Sequence, residues 1–512
     1  MAENHNAALW FVDRHIDEGR ADKVAFREAD GQQRDLTYGQ LADGSARFAG
    51  ALIRSDVRRE ERVAMIVLDQ IEFPIVFWGA LKTGAVPVPL NTLLSTSVYE
   101  TILNDSRATT LVVSSELWGT VAPAIRDNAF LRNIVVIGDA PESTTGYAGF
   151  VEGAAPMQAV EAGGDETAFW LYSSGSTGLP KGVRHIHSSL RATTDTFGAK
   201  VLGMCQDDVV YSVAKLFFAY GLGNGMSFPL STGATTILLG GRPTPDAAFG
   251  IIGEHAPTVF YGVPTLFAAM NASLDGVDNG PKSNLRLCVS AGEALPRDVG
   301  EAWQERMGVE IVDGVGSTEM LHIFLSNSPG DIVYGTSGTA VPGYDVRLVD
   351  EEGQSVADNE VGELLVRGPS AAEGYWNRRE KSRETFEGEW TRTGDKYERT
   401  PDGRYVYCGR TDDMFKISGI WVSPFEIEQA LVEHPAILEA AIVAHADEHG
   451  LDKPKAFVVL KEGQSREAIT DLKDFVKEKI GKWKYPRWVD VVDDLPKTAT
   501  GKIQRFKLRA GA

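Results

Sequence analysis

The chain has 512 residues, more than one compact core usually holds, so two or more domains are expected. Apolar residues make up 43% and charged residues 24%, a balance that excludes disordered, collagenous and repeat proteins. The formal charge of −20 excludes a general nucleic-acid binder, which needs a basic footprint, and the acidity reads as solubility or a salty habitat.

The N-terminal segment MAENHNAALWFVDRHIDEGR mixes both charge signs without an apolar run, so it does not read as a signal peptide. From about residue 20 to 340, apolar runs alternate with amphipathic ones. Buried strands are predicted at 60–67, 108–115, 133–138, 234–240, 258–264 and 285–292, with a helix over 72–84. This alternation predicts parallel sheets covered on both faces. The apolar stretch from Pro74 to Leu90 is broken by Gly79, Lys82 and Gly84; it reads as buried helix and strand, not a membrane span. After Gly335 short strands at 345–350, 362–368 and 403–410 are split by turn signals, which predicts a small barrel-like section. Residues 413–512 predict a small α+β domain, with helices over 426–435 and 467–480 and strands over 440–447 and 455–463. Cys205, Cys288 and Cys408 are odd in number, far apart and without zinc spacing, so a reducing cytoplasm is expected.

The strongest chemical signal is TAFWLYSSGSTGLPKGVRHIH, residues 167–187. An apolar strand runs into a loop of Ser, Thr and Gly with Lys181 near its end. Glycines let backbone fold round an oxyanion and hydroxyls donate to it, so the loop suits phosphate. Its spacing is not that of a Walker A loop. His185 and His187 are predicted to share one face of a strand.

SSGSTGLPKG resembles the signature loop of the adenylate-forming superfamily, which includes acyl- and aryl-CoA synthetases. SAGEALP (290–296), DGVGSTE (313–319), RTGDKYERTPDGRYVYCGRTDDMFKISG (392–419), VSPFEIE (422–428) and PKTATGKIQR (496–505) resemble further segments of that family in the same order. The resemblance implies an α/β fold: a large N-terminal domain, residues 1–411, of two parallel-type α/β subdomains plus a small β-barrel. A small mobile α+β C-terminal domain, 412–512, would follow, hinged at Asp412. Ser174, Ser176 and Thr177 would grip the ATP phosphates. Gly292, Glu293, Asp313, Gly314 and Val315 would frame adenine, with Val315 where the family often has an aromatic ring. Thr318 would contact a phosphate, Glu319 would hold Mg²⁺, and Asp395 and Arg410 would bind the ribose. Lys502 would be the catalytic cation of adenylation, and Lys416, Gly419 and Trp421 would line the CoA channel. By composition alone, Lys497, Lys502 and Lys507 are equivalent candidates. The same segment resembles one that protein acetyltransferases modify, which implies acetylation of Lys502.

Residues 214–230, 241–247, 257–270 and 316–327 resemble the benzoate-CoA ligase group in particular. That implies an acyl pocket of Phe218, Ala219, Tyr220, Ala291, Gly316, Leu321, His322 and Ile323, a flat slot suited to a ring. Tyr220 and His322 are the polar candidates for contact with a ring substituent. Expected ligands are an aryl carboxylate, ATP with Mg²⁺, and CoA, with no nucleic acid and no membrane; a homodimer stays open. Benzoate is the first choice, 4-hydroxybenzoate or 2-aminobenzoate the alternatives, and a freestanding enzyme that loads a carrier protein a further one. His445 and His449 in HADEH fit a zinc pattern that needs a helix, whereas this stretch reads as strand into loop.

Overall fold

The computed structural model describes residues 4–174, 180–274, 281–411, 413–417, 420–447, 451–480, 484–497 and 503–510. The chain divides into two compact units, Met1–Asp345 with Val366–Thr391, and Val346–Leu365 with Arg392–Ala512.

The first unit holds two largely parallel sheets, as the alternating pattern predicts. One has five strands in the order Val86–Pro89, Arg62–Ile66, Thr110–Ser114, Asn133–Ile137 and Thr145–Gly146, all parallel. The other has nine. Its parallel centre runs Val24–Glu28, Thr235–Leu238, Val209–Ser212, Val259–Gly262, Leu287–Ser290, Ile311–Gly316. Antiparallel strands Ile323–Ser326 and Thr339–Ala340 extend one edge and Asp35–Thr37 the other. A third, antiparallel sheet joins Thr167–Ser174, Pro180–Ile186 and Gly374–Tyr375.

The helix Tyr38–Arg54 starts at a capping box, in which Thr37 and Gln40 satisfy each other's backbone N–H. The helix Glu72–Thr83 is buried along its whole length and ends on Gly84 in the left-handed region, φ 76°. Its two charged residues are paired: Glu72 with Arg34 at 2.5 Å, Lys82 with Asp13 at 2.5 Å. The stretch from Pro74 to Leu90 is thus buried helix and strand. Among the described residues no helix is long and apolar enough to cross a membrane.

In the second unit, strand Trp390–Arg399 pairs antiparallel with Tyr405–Arg410 in a small curled sheet. Farther on, Ile437–Ala446 pairs antiparallel with Asp452–Leu460, and Trp488–Val491 adds in parallel. Ile427 and Leu431 of helix Pro424–Val432, and Leu472 and Val476 of helix Leu472–Ile480, pack into one core with Ile442 and Val458 of these strands. His445 lies on a strand, as expected, and His449 lies outside the described residues. No cluster of metal-ligating side chains occurs among the described residues.

Burial fixes several protonation states in the first unit. It pushes the rings of His15, His185 and His187 down to about 4 and that of His322 to about 3. It pushes the carboxyl of Asp69 up to about 6 and that of Asp313 well above its ordinary value. The histidines take protons more readily once unfolded, so their contribution to stability is lost as pH falls below about 6.5. The aspartates take protons more readily when folded, so theirs is lost as pH rises. Four groups oppose two, so unfolding near pH 5 should take up about two protons, worth about 3 kcal/mol per pH unit. Denaturant unfolding at pH 7 and pH 5 measures this: marked destabilisation at pH 5 is expected, and equal midpoints would contradict it.

Candidate active site

The site lies at the carboxyl ends of the parallel strands in the nine-stranded sheet, where open α/β sheets hold ligands. Register places Gly262 beside Ser290 and Ser290 beside Asp313. Ser290, Ala291 and Asp313 are buried, whereas Gly292 is exposed with φ 98°, backbone that only glycine adopts cheaply. Glu293 follows, half-buried, so both families of predicted adenine-framing residues meet at these strand ends. Asp313 Oδ1 has no hydrogen-bond partner among the described residues.

Strand Ile311–Gly316 doubles back into Ile323–Ser326 through a tight turn. A Cβ on Gly314 would sit 2.8 Å from the Ile323 side chain, and one on Gly316 2.5 Å from the His322 carbonyl. Val315 is half-buried between them. Inside the turn Leu321 has φ 66° and the His322 N–H donates to the Met320 carbonyl at 2.8 Å, a strained three-residue turn.

The turn is held from outside. His185 Nε2 donates to the Thr318 carbonyl at 2.8 Å, and the Ala372 N–H donates to the Glu319 carbonyl at 2.8 Å. The Tyr375 hydroxyl donates to Glu319 Oε1 at 2.8 Å, and Lys181 Nζ lies 4.5 Å from the centre of the Tyr375 ring. Lys181, Tyr375 and Glu319 therefore form one connected polar group, and Tyr375 is a member that sequence reasoning missed. Strands Thr167–Ser174 and Pro180–Ile186 pair through Ser174 and Pro180. Ser176 and Thr177 lie outside the described residues, as does the side chain of Ser174. His187 is not on the strand with His185: it opens the helix His187–Thr193, and its Nδ1 accepts from the Ala7 N–H at 3.2 Å.

Of the residues expected to line an acyl pocket, Tyr220 and His322 lie together. The His322 ring is buried, with the rings of Phe228 at 4.5 Å, Phe197 at 5.4 Å and Tyr220 at 5.6 Å. His322 Nε2 lies 3.1 Å from Asn224 Oδ1, so this nitrogen carries the proton and the ring stays neutral. Gly223 makes the approach possible, because a Cβ there would lie 2.3 Å from His322 Cδ2. Asn224, also missed from sequence, is fully buried. The Tyr220 hydroxyl is shared between the Val289 and Gly262 carbonyls at 3.2 and 3.3 Å, so its proton is spent on the strand ends. Leu321 and Ile323 are buried, and half-buried Phe218 and Ala219 pack against the cluster that contains Leu321.

In the second unit Asp395 and Arg410 are register partners, and Arg410 Nη1 donates to Asp395 Oδ1 at 2.9 Å. Lys416 and Trp421 face each other in the hairpin Phe415–Ile417 and Ile420–Val422, though their side chains are not described. Asp412, Gly419 and Lys502 lie outside the described residues.

The sequence profile of the AMP-binding enzyme family matches residues 12–376, and that of the AMP-binding enzyme C-terminal domain matches residues 426–502. The chain belongs to the AMP-binding enzyme family. This AMP-binding enzyme is 52% identical over 513 residues to a 4-hydroxybenzoate–CoA/benzoate–CoA ligase of Rhodopseudomonas palustris, covering 99% of this chain and 94% of the relative. It superimposes with a TM-score of 0.90 and 49% identity on a benzoate CoA ligase from Burkholderia xenovorans LB400, over 99% of this chain and 100% of the other. The anthranilate CoA ligase AuaEII, solved with anthranoyl-AMP, superimposes with a TM-score of 0.93 and 41% identity, over 100% of this chain and 97% of the other.

Proposed function

We propose that this protein is an ATP-dependent aryl-CoA ligase that joins benzoate to CoA through an acyl-adenylate. The observation that carries the reading is the aromatic cluster round His322. Phe197, Tyr220 and Phe228 surround its ring, Nε2 is spent on Asn224, and it lies three residues from the carboxylate of Glu319. A flat uncharged ring fits that lining, and full-length relationship to benzoate and hydroxybenzoate ligases supports the same substrate class.

In the first half-reaction a carboxylate oxygen attacks the α-phosphate of ATP and pyrophosphate leaves. Two anions must approach, and the Lys502 cation offsets their repulsion as charge builds. Glu319 suits a hard divalent cation: its carboxylate is half-exposed, one oxygen is fixed by Tyr375, and phosphates and water supply the remaining ligands. Bound there, Mg²⁺ would neutralise phosphate charge. Ser174, Ser176, Thr177 and Thr318 hold phosphates, Asp313, Gly314, Val315, Gly292 and Glu293 frame adenine, and Asp395 and Arg410 hold the ribose. In the second half-reaction the CoA sulfur attacks the acyl carbon and AMP leaves. Asp412 is the pivot that withdraws Lys502 and brings Lys416, Gly419 and Trp421 to the thiol channel, a hinge-type exchange.

Benzoate is the first choice because the similar proteins include benzoate-CoA ligases. Tyr220 spends its proton on strand-end carbonyls, whereas His322 Nδ1 and Asn224 Nδ2 have no hydrogen-bond partner among the described residues, so 4-hydroxybenzoate stays the alternative substrate. Turnover of benzoate should exceed that of 4-hydroxybenzoate in kcat/KM. Equal values, or the reverse order, would overturn the substrate assignment. Benzoate-dependent ATP–pyrophosphate exchange without CoA, followed by thioester formation on adding CoA, tests the chemistry itself.

A further inference from the structure

Away from the acyl pocket the first unit carries a groove of about 610 Å³. Four guanidinium groups line it: Arg184 from strand Pro180–Ile186, and Arg378, Arg379 and Arg383 from the segment after Gly374–Tyr375. Its apolar part includes the rings of Tyr375 and Phe386, 5.4 Å apart. Glu373 is the only carboxylate among the lining residues. Arg378 is 3.4 Å from Asp105, which also accepts from the Tyr172 hydroxyl at 2.7 Å. Arg184, Arg379 and Arg383 have no carboxylate partner among the described residues, and Arg184 Nε is buried without any hydrogen bond.

This chain carries an excess of 20 acidic charges, yet here like cations converge on one concave wall. Their mutual repulsion is offset when an anion occupies the space between them. Guanidinium forks match phosphate oxygens in pairs, and several forks suit more than one phosphate. The groove also adjoins the reacting centre. Tyr375, one of its walls, donates through its hydroxyl to Glu319, and Lys181 lies over its ring.

We propose that this arginine groove binds a diphosphate anion. The contact through Tyr375 favours pyrophosphate, the product expelled beside Glu319, and that choice of source rests on the ligase reading above. The phosphates of CoA are the other source of the same chemistry. Held there, pyrophosphate is drawn away from the acyl-adenylate, which slows the reverse reaction.

The test is equilibrium binding of pyrophosphate to the full-length protein, wild type against R379Q/R383Q. Both arginines are exposed, so the fold should survive, and equal melting temperatures verify it. Binding should weaken about tenfold, and KM for ATP should hold. R379K/R383K, which keeps the charge, should retain most of the binding. A parallel titration uses 3′-phosphoadenosine 5′-diphosphate. Weakening confined to that probe keeps the diphosphate site but assigns it to CoA. Unchanged binding of both probes overturns the proposal. A wild-type protein whose pyrophosphate binding depends on these arginines, yet which adenylates no acid, would keep the groove and overturn the ligase reading.

Discussion

Lys502→Ala is expected to slow acyl-adenylate formation about 100- to 1,000-fold, the loss typical of removing one group that stabilises developing charge. Three lysines of the C-terminal tail are equivalent by composition. Lys497 Nζ pairs with Glu439 at 2.6 Å, and the choice of Lys502 rests on the resemblance of PKTATGK. Lys497 and Ile503 form an antiparallel bridge, and the Gln504 N–H donates to the Pro496 carbonyl at 2.7 Å. Carboxylate-dependent ATP–pyrophosphate exchange measures the effect. Thioester formation from supplied acyl-adenylate and CoA should change far less, since no α-phosphate is attacked in that step. Equal losses in both half-reactions would show that the substitution damages the fold or a shared site.

Arg505→Ala should destabilise the second unit by about 3 kcal/mol, the scale of breaking a largely buried ion pair. Arg505 Nη2 meets Glu428 Oε2 at 2.7 Å and Nη1 meets Asp413 Oδ2 at 3.2 Å, which ties helix Arg505–Ala510 to helix Pro424–Val432. The side chain of Glu428 is only 7% exposed, and its Oε1 also accepts from the Ile442 N–H at 2.7 Å. Without Arg505 that carboxylate stays buried with one remaining donor. The guanidinium is itself 19% exposed, which places the loss at the lower end of the range for such pairs. Urea unfolding followed by a probe in the second unit measures it. Arg505→Lys should recover part of the loss, because an ammonium keeps the charge but lacks the planar fork that grips both Glu428 oxygens. An unchanged midpoint for the alanine variant would show that the pairs contribute nothing net.

Several strands of both parallel sheets were legible because burial on both faces writes an apolar run, and LRLCVSAG and TVFYGVP each end where the site begins, whereas Val24–Glu28, Val209–Ser212 and Ile311–Gly316 were not predicted. The glycines of DGVGSTE were legible as a motif but not in their cause, which is close packing against Ile323 and the His322 carbonyl. What sequence could not show were partnerships across long separations. Asn224 and His322 meet 98 residues apart, and Tyr375 and Glu319 meet 56 apart; no local pattern encodes either pair. Arg184 likewise joins Arg378, Arg379 and Arg383 only because Pro180–Ile186 pairs with Gly374–Tyr375. His187 was misplaced because periodicity cannot mark the residue at which a strand becomes a helix.

The most direct test of the central claim is AMP release with ATP, Mg²⁺ and CoA across benzoate, the three monohydroxybenzoates, 2-aminobenzoate, cyclohexanecarboxylate and a medium-chain fatty acid. Each acid is run with and without CoA, and thioester is measured alongside. The ligase reading predicts CoA-dependent turnover strongest on benzoate, with matching thioester. Turnover confined to the fatty acid, or pyrophosphate release without thioester, would contradict it.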